Sequence, residues 1–331
     1  MKSKDLQNIV LSKYQNGDTP TKTFRDLNSG IGLRTIKRWC QMILQSGSTT
    51  LSSPPGCRRL ARTKGNIRKE GYVRNEDEVA HDLHSILTQV FQISYEYVAS
   101  PFYVAGESYG GKYVPAIVRK IHVENPQAKI KINLKGMAID DGLIDPYNQW
   151  DYGLVMYQVG LIDEQELERV SIQTQLGRRA IELKQYLLVS FNDVYNYLLT
   201  RFPDAFGYYV PWVTAIVGIA LANDIMQSTV GKVTEIANNN YKILIYNGLL
   251  DVIIASSLTM DCIDKLQWQH ADKFRSAERK VWKVKDTDTE VAGYLKQYNS
   301  FFVAWVRNSG HMVPADQPRS AFDLIDRIVS D

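Results

Sequence analysis

The sequence predicts an α/β protein, a mostly parallel sheet with an inserted helical cap, preceded by a small all-α domain of helix-turn-helix type. Three observations lead there. From residue 71 onward, apolar strands alternate with helical stripes, the pattern of a parallel sheet. Residues 151–240 break that alternation and read as largely helical. Residues 1–70 differ in kind: they hold 14 Lys+Arg against 4 Asp+Glu, a net of +10, while the remainder holds 25 against 32, a net of −7. A basic head on an acidic body points to two origins and two kinds of partner. The predicted division is a helix-turn-helix segment at 1–47, a basic Ser/Pro/Gly linker at 48–70, and a sheet domain at 71–331 with its cap at about 151–240.

The small domain reads as three short helices. Leu6, Ile9, Val10 and Tyr14 follow helical spacing, and Gly17 ends that helix. Thr19-Pro20 starts the next, as an N-cap followed by Pro at the first helical position. The third runs from about Leu33 to Leu44, with Leu33, Ile36, Cys40, Ile43 and Leu44 inward and Arg34, Lys37, Arg38 and Gln41 outward. That basic face fits a recognition helix, with Gln41 placed to read a base edge. It fits a solvated face of a small bundle equally well.

In the sheet domain, Asn75 with Glu78 resembles a capping box. Val79, Leu83, Ile86, Leu87, Val90 and Phe91 form the stripe that follows. Strands are expected at Phe102–Val104, at Ile130, Ile132 and Leu134 continuing into Met137-Ala138-Ile139, at Lys242–Tyr246 and at Phe301–Val306; helices are expected at Pro115–Val123 and Ala321–Val329. Ala205–Ala222 is uncharged for about the length of a membrane span, but Tyr208, Tyr209, Pro211, Thr214 and Gly218 weaken it, so no membrane partner is expected. The three cysteines, Cys40, Cys57 and Cys262, lack the spacing of a disulfide framework or a zinc site, and no cofactor is expected. The opening MKSKDLQNIV has no apolar stretch of signal-peptide length, so as written the expected location is cytoplasmic or nuclear.

Chemistry concentrates at three places. Gly106-Glu107-Ser108-Tyr109-Gly110 is a Gly-x-Ser-x-Gly sequence between a strand and a helix, the context in which a sharp turn lifts a serine hydroxyl above a sheet. Asp251 follows the strand 242–246 through Asn247-Gly248, and His311 follows the strand 301–306 through Asn308-Ser309-Gly310. All three stand past the C-terminal ends of strands, where open α/β sheets build their sites. A serine nucleophile needs an imidazole to take its proton, and the imidazole needs a carboxylate to fix its tautomer.

At this point SPFYVAGESYGGKYVPAI, YNGLLD and GHMVPADQP resemble the serine carboxypeptidase family, whose fold is the α/β-hydrolase sheet, and KVWKVKDTDTEVAGYLKQY is similar to its vitellogenic-like branch. The resemblance implies Ser108 as nucleophile, His311 as general acid/base, Asp251 as its orienter and the Tyr109 N–H as an oxyanion donor. It implies that Glu107, protonated, binds the terminal carboxylate of a peptide, that Met312 lines the leaving-group pocket, and that the protein is lysosomal or secreted. The family's upstream Asn-Gly-Gly-Pro-Gly segment has no counterpart here, where the only Gly-Gly pair is Gly110-Gly111, so an N-terminally truncated sheet and impaired turnover are expected. Upstream, LQNIVLSKYQNGDTP, GIGLRTIKRWC and LSSPPGCRRLARTKGNIRK resemble the DNA-binding part of a mariner-type transposase. That resemblance implies weak duplex DNA binding through Arg34, Lys37, Arg38, Gln41, Arg58 and Arg59. Two functions follow: a serine carboxypeptidase acting on peptides with a free C-terminus, or an inactive hydrolase body fused to a DNA-binding module.

Overall fold

In a computed structural model, the structure describes residues 72–186 and 220–330. They belong to one compact unit of the chain, Ile67–Asp331. The expected helix-turn-helix segment, its linker, the six DNA-binding candidates and most of the 205–222 stretch lie outside the described residues.

Helix α1 spans Glu76–Ile93. The Asn75 side chain caps it, accepting from Glu78 N–H at 2.9 Å, while Glu78 accepts from Arg74 N–H at 2.8 Å and from Asn75 Nδ2 at 3.3 Å rather than from the Asn75 backbone N–H. Val79 and Phe91 are buried, but Ile86 and Val90 are about half exposed, so the apolar stripe is narrower than its spacing suggested.

The sheet has six strands among the described residues. They are β1 (Phe102–Glu107), β2 (Leu134–Asp140), β3 (Lys242–Gly248), β4 (Arg279–Trp282), β5 (Gly293–Tyr298) and β6 (Phe301–Val306), in the order β1-β2-β3-β6-β5-β4. The first four in that order run parallel, so their C-terminal ends share one edge; β5 and β4 return antiparallel. Side chains alternate strictly between two cores. Met137, Ile139, Ile243, Ile245, Phe301, Val303 and Trp305 pack on one face. Ala138, Leu244, Tyr246, Phe302, Ala304 and Val306 pack on the other, under an amphipathic helix near the C-terminus (Pro318–Ser330). Strands covered on both faces read as continuous apolar runs, which is why β3 and β6 are plain in the sequence.

Helix α2 (Gly110–Glu124) begins five residues earlier than expected and runs through Pro115. Pro115 has no N–H to give the Gly111 carbonyl, four residues back. The Thr229 hydroxyl, 3.0 Å from Gly111 O and 3.0 Å from Ile144 O, offers its proton there instead. The predicted strand at 130–133 does not form. Ile132 is buried, yet the Asn125 side chain takes both its backbone groups, at 2.8 and 2.9 Å. Strands β4 and β5 were not expected. They sit at the antiparallel edge, where charged residues are tolerated, and Arg279 lies 4.5 Å over the Tyr294 ring.

Between β2 and β3 come α3 (Tyr152–Gln158), α4 (Glu164–Glu182) and α5 (Val230–Asn238). Helices α3 and α4 share a separate core around Trp150, Met156, Val170 and Met226. Helix α5 packs through Val233 and Ile236 into the core of the sheet.

One buried cation ties these layers. Lys112, on α2, is fully buried and donates from Nζ to Gln227 O. Glu76 and Asp224 stand around it, joined by Glu76 N–H to Asp224 Oδ2 at 3.2 Å. Burial, then the charge of Asp224, lifts the Glu76 carboxyl to about 8, so the two acids hold one proton between them and their remaining charge faces Lys112. Replacing Lys112→Met should leave that charge unpaired in the interior and cost about 3–5 kcal/mol in urea unfolding at neutral pH. A loss under about 1 kcal/mol would show that the acids do not depend on the lysine.

Candidate active site

β1 ends at Glu107, and Ser108 follows at φ 57, the left-handed region that residues other than glycine adopt rarely. Hydrogen bonds hold it there. Ser108 N–H donates to Asp140 O at 2.9 Å, and Ser108 O accepts from the N–H groups of Gly111 and Leu143, both at 3.0 Å. A strand, a strained serine and a helix start form the elbow that exposes a hydroxyl above a sheet. Close approach makes the glycines necessary. A Cβ on Gly106 would meet Val114 Cγ2 at 2.7 Å, and one on Gly111 would meet Leu143 O at 2.5 Å. Gly110, the motif's second glycine, has only an ordinary contact at 3.9 Å, so the tight position is one residue later than the motif indicates.

Asp251 lies past the end of β3 and is buried. Its Oδ1 accepts from Ile253 N–H at 2.7 Å; its Oδ2 accepts from Ile254 N–H at 3.2 Å and meets His311 Nδ1 at 2.9 Å. An ionised carboxylate only accepts, so the Nδ1 proton is assigned to His311, and Nε2 is its free nitrogen. His311 stands on the loop after β6, which Gly310 N–H fastens to Asp316 Oδ2 at 2.8 Å. Burial pushes the imidazole down. The Asp251 hydrogen bond and charge, with Glu107 and Asp140, outweigh that and leave it above its ordinary 6.5.

Glu107, beside the serine, is raised by burial, with Asp251 adding and His311 opposing. The Tyr109 main chain stands at the start of α2, where backbone N–H groups have no intrahelical partner. Met312 follows His311 and is about half exposed.

Two acids at the end of β2 were missed by sequence reasoning. Asp140 pairs in register with Glu107 and is buried; burial lifts its carboxyl to about 7, Asp141 pulling it back and Glu107 pushing it further. Asp141 is fully buried at φ 42, and its Oδ1 accepts from Asn247 Nδ2 at 3.0 Å and Gly248 N–H at 3.1 Å. The signal that located Asp251 and His311, polar residues just past an apolar strand, was equally present at Met137-Ala138-Ile139-Asp140-Asp141. Asp141, Asp251 and His311 each bring a ligand atom within 4.8 Å of the others, but the hydrogen bonds above already engage these groups, and we assign no metal there.

The serine carboxypeptidase family signature matches residues 65–200 and 209–331. The chain belongs to the serine carboxypeptidase family. It is 39% identical over 301 residues to the probable serine carboxypeptidase CPVL of Homo sapiens, covering 78% of this chain and 63% of that protein. It is 38% identical to the venom serine carboxypeptidase of Apis mellifera over 302 residues, 78% of this chain and 64% of that one. The vitellogenic carboxypeptidase of Aedes aegypti is 31% identical over 306 residues, covering 77% and 62%. The chain thus spans less than two thirds of the length of these relatives. Among solved structures, Kex1(delta)p, a prohormone-processing carboxypeptidase from Saccharomyces cerevisiae, superposes with a TM-score of 0.67 at 20% identity, over 82% of this chain and 70% of that one; the likeness carries the α/β-hydrolase-type fold. The comparisons lend no support to the transposase resemblance over residues 1–69 or to a cytoplasmic or nuclear location. No helix among the described residues is long and apolar enough to cross a membrane.

Within this chain, the Asp251 carboxylate is the main group that raises His311. Asp251→Asn should drop the His311 midpoint, followed by NMR, below 6.5, since burial is then opposed by weaker partners. The linkage sign is fixed too. A raised histidine stabilises the fold fully below its unfolded value, and that stability is lost as pH rises through the folded value. An unchanged midpoint in Asp251→Asn would contradict this assignment.

Proposed function

We propose that the chain hydrolyses the C-terminal residue from peptides, with Ser108 as nucleophile. The observation that supports this best is the 2.9 Å bond from His311 Nδ1 to Asp251 Oδ2 at the sheet edge that also carries the strained Ser108. His311 Nε2 takes the Ser108 proton as Oγ attacks the scissile carbonyl. The Tyr109 N–H donates to the oxyanion that forms. His311 then gives the proton to the leaving amino acid, and the acyl ester on Ser108 is hydrolysed by water that His311 deprotonates. Asp251 keeps the imidazole in its Nδ1–H tautomer and stabilises its cation. Two family-level assignments complete the reading: Met312 against the leaving residue, and Glu107 toward its carboxylate.

Among the described residues, Tyr109 is the one oxyanion donor assigned. A site short of one donor runs on the order of 10²–10³ slower, so the expected signature is full labelling of Ser108 by a fluorophosphonate beside slow peptide turnover. The deciding assay follows release of the last residue from an N-blocked dipeptide by the purified full chain. Release should be slow but absent in Ser108→Ala; equal rates in the two proteins would overturn the assignment.

Glu107 gives this reaction its pH dependence. Protonated, it donates to the substrate carboxylate; ionised, it repels it. Its raised carboxyl places that change above the usual carboxylate range. KM should therefore rise as pH climbs through the Glu107 midpoint, and Glu107→Gln should flatten the rise. A pH–KM curve identical in Glu107→Gln and wild type would remove Glu107 from substrate binding.

A further inference from the structure

Asp141 is a fully buried acid in left-handed backbone, with a carboxylate oxygen within 4.8 Å of the Asp251–His311 pair, and the reaction above gives it no role. Two buried carboxyls this close cannot both be ionised at low cost, so one must hold a proton. The donors decide which. Asp251 receives Ile253 N–H, Ile254 N–H and His311 Nδ1–H, and its neighbour His311 becomes a cation during a proton transfer. Asp141 receives Asn247 Nδ2–H and Gly248 N–H on Oδ1, with a longer 3.3 Å contact from Gly248 to Oδ2. The charged groups acting on Asp141 are themselves acids: Asp251 from the loop after β3 and Asp140, its neighbour on β2. His311, from the loop after β6, stands within the same 4.8 Å cluster. Burial first, then the nearby acids Asp251 and Asp140, holds the Asp141 carboxyl far above the ordinary range.

We propose that Asp141 is a positioning residue of this site: a neutral acid that donates its carboxyl proton to Asp251 and so holds that carboxylate against His311. The proposal rests on reading Asp251 and His311 as the partners of Ser108. Oδ1 of Asp141 is anchored by β3 through Asn247 and Gly248, so the proton on its other oxygen has a fixed direction. Asp251 then has its orientation set from three sides: the 253–254 backbone, His311 and Asp141. Asparagine has the same shape, with an acceptor oxygen and an NH2 that donates, and it tolerates left-handed backbone as aspartate does.

The test compares Asp141→Asn and Asp141→Gly in the full chain; glycine removes the carboxyl without backbone strain at φ 42. One readout is the His311 midpoint by NMR, with the resonance assigned by its loss in His311→Asn. The other is the rate at which a fluorophosphonate labels Ser108. In Asp141→Asn the His311 midpoint should stay within about 0.3 unit of wild type, because no charge has been removed. A fall of about one unit or more would mean that Asp141 is ionised, and would overturn the proposal. Asp141→Gly should label about tenfold more slowly, and Asp141→Asn should restore the rate. Labelling of Asp141→Gly at the wild-type rate would show that Asp141 positions nothing. If Asp141→Gly does not fold, the Asp141→Asn midpoint decides. If Ser108 labels in none of the proteins, the proposed function fails while the NMR midpoint still reports on Asp141.

Discussion

The hydrogen bond from His311 Nδ1 to Asp251 Oδ2 is the last link of a chain that starts in backbone. Ile253 and Ile254 donate to Asp251 from the turn that follows β3, so the orientation of the carboxylate is set by main chain. That turn is in turn set by the sheet: Leu249 N–H bonds to Val306 O, and Leu250 N–H to Ser309 O, binding the loop after β3 to the one after β6. The β3–β6 pairing therefore holds Asp251 and His311 at one separation. Burial matters as much as geometry. In water such a pair has little consequence, while in the interior the same contact is strong enough to overcome the desolvation of the imidazole.

The parallel alignment of β1, β2, β3 and β6 gathers acids at one edge. Glu107 ends β1, Asp140 ends β2 with Asp141 just after it, and Asp251 follows β3. Four carboxyls around one histidine would be untenable if all were ionised. The protein differentiates them by surroundings: Asp251 accepts three N–H donors, while burial raises the other three. Different environments shift like groups differently, so the carboxyls at one edge need not titrate together.

Much of this was legible in the sequence because it depends on local pattern. Strands β3 and β6 show as apolar runs since both their faces are covered. Gly106 and Ser108 stand out because an elbow needs them in a row. What stayed hidden depends on partners distant in the chain. Arg279-Lys280-Val281-Trp282 does not look like a strand, and it becomes one because β5 offers it an edge and Trp282 Nε1–H finds Asp323 Oδ2 at 2.7 Å. Ile132 looks like a strand residue, but its alternation with Ile130 and Leu134 records burial alone, Asn125 having taken its backbone. Pro115 seemed to mark a helix start because the Thr229 hydroxyl, 114 residues on, was invisible to a local reading. The groups that engage Asp141, Asn247 Nδ2–H and Gly248 N–H, come from β3, far along the chain.

The central claim is that Ser108, among all the hydroxyls of the chain, is the activated nucleophile. The most direct measurement is peptide mapping of the purified full chain after reaction with a fluorophosphonate. The account predicts one adduct, on the peptide holding Ser108, formed at a rate that climbs as His311 loses its proton and lost in His311→Asn. Adducts spread over several serines, or an adduct on Ser108 whose rate does not change when His311 is replaced, would contradict it.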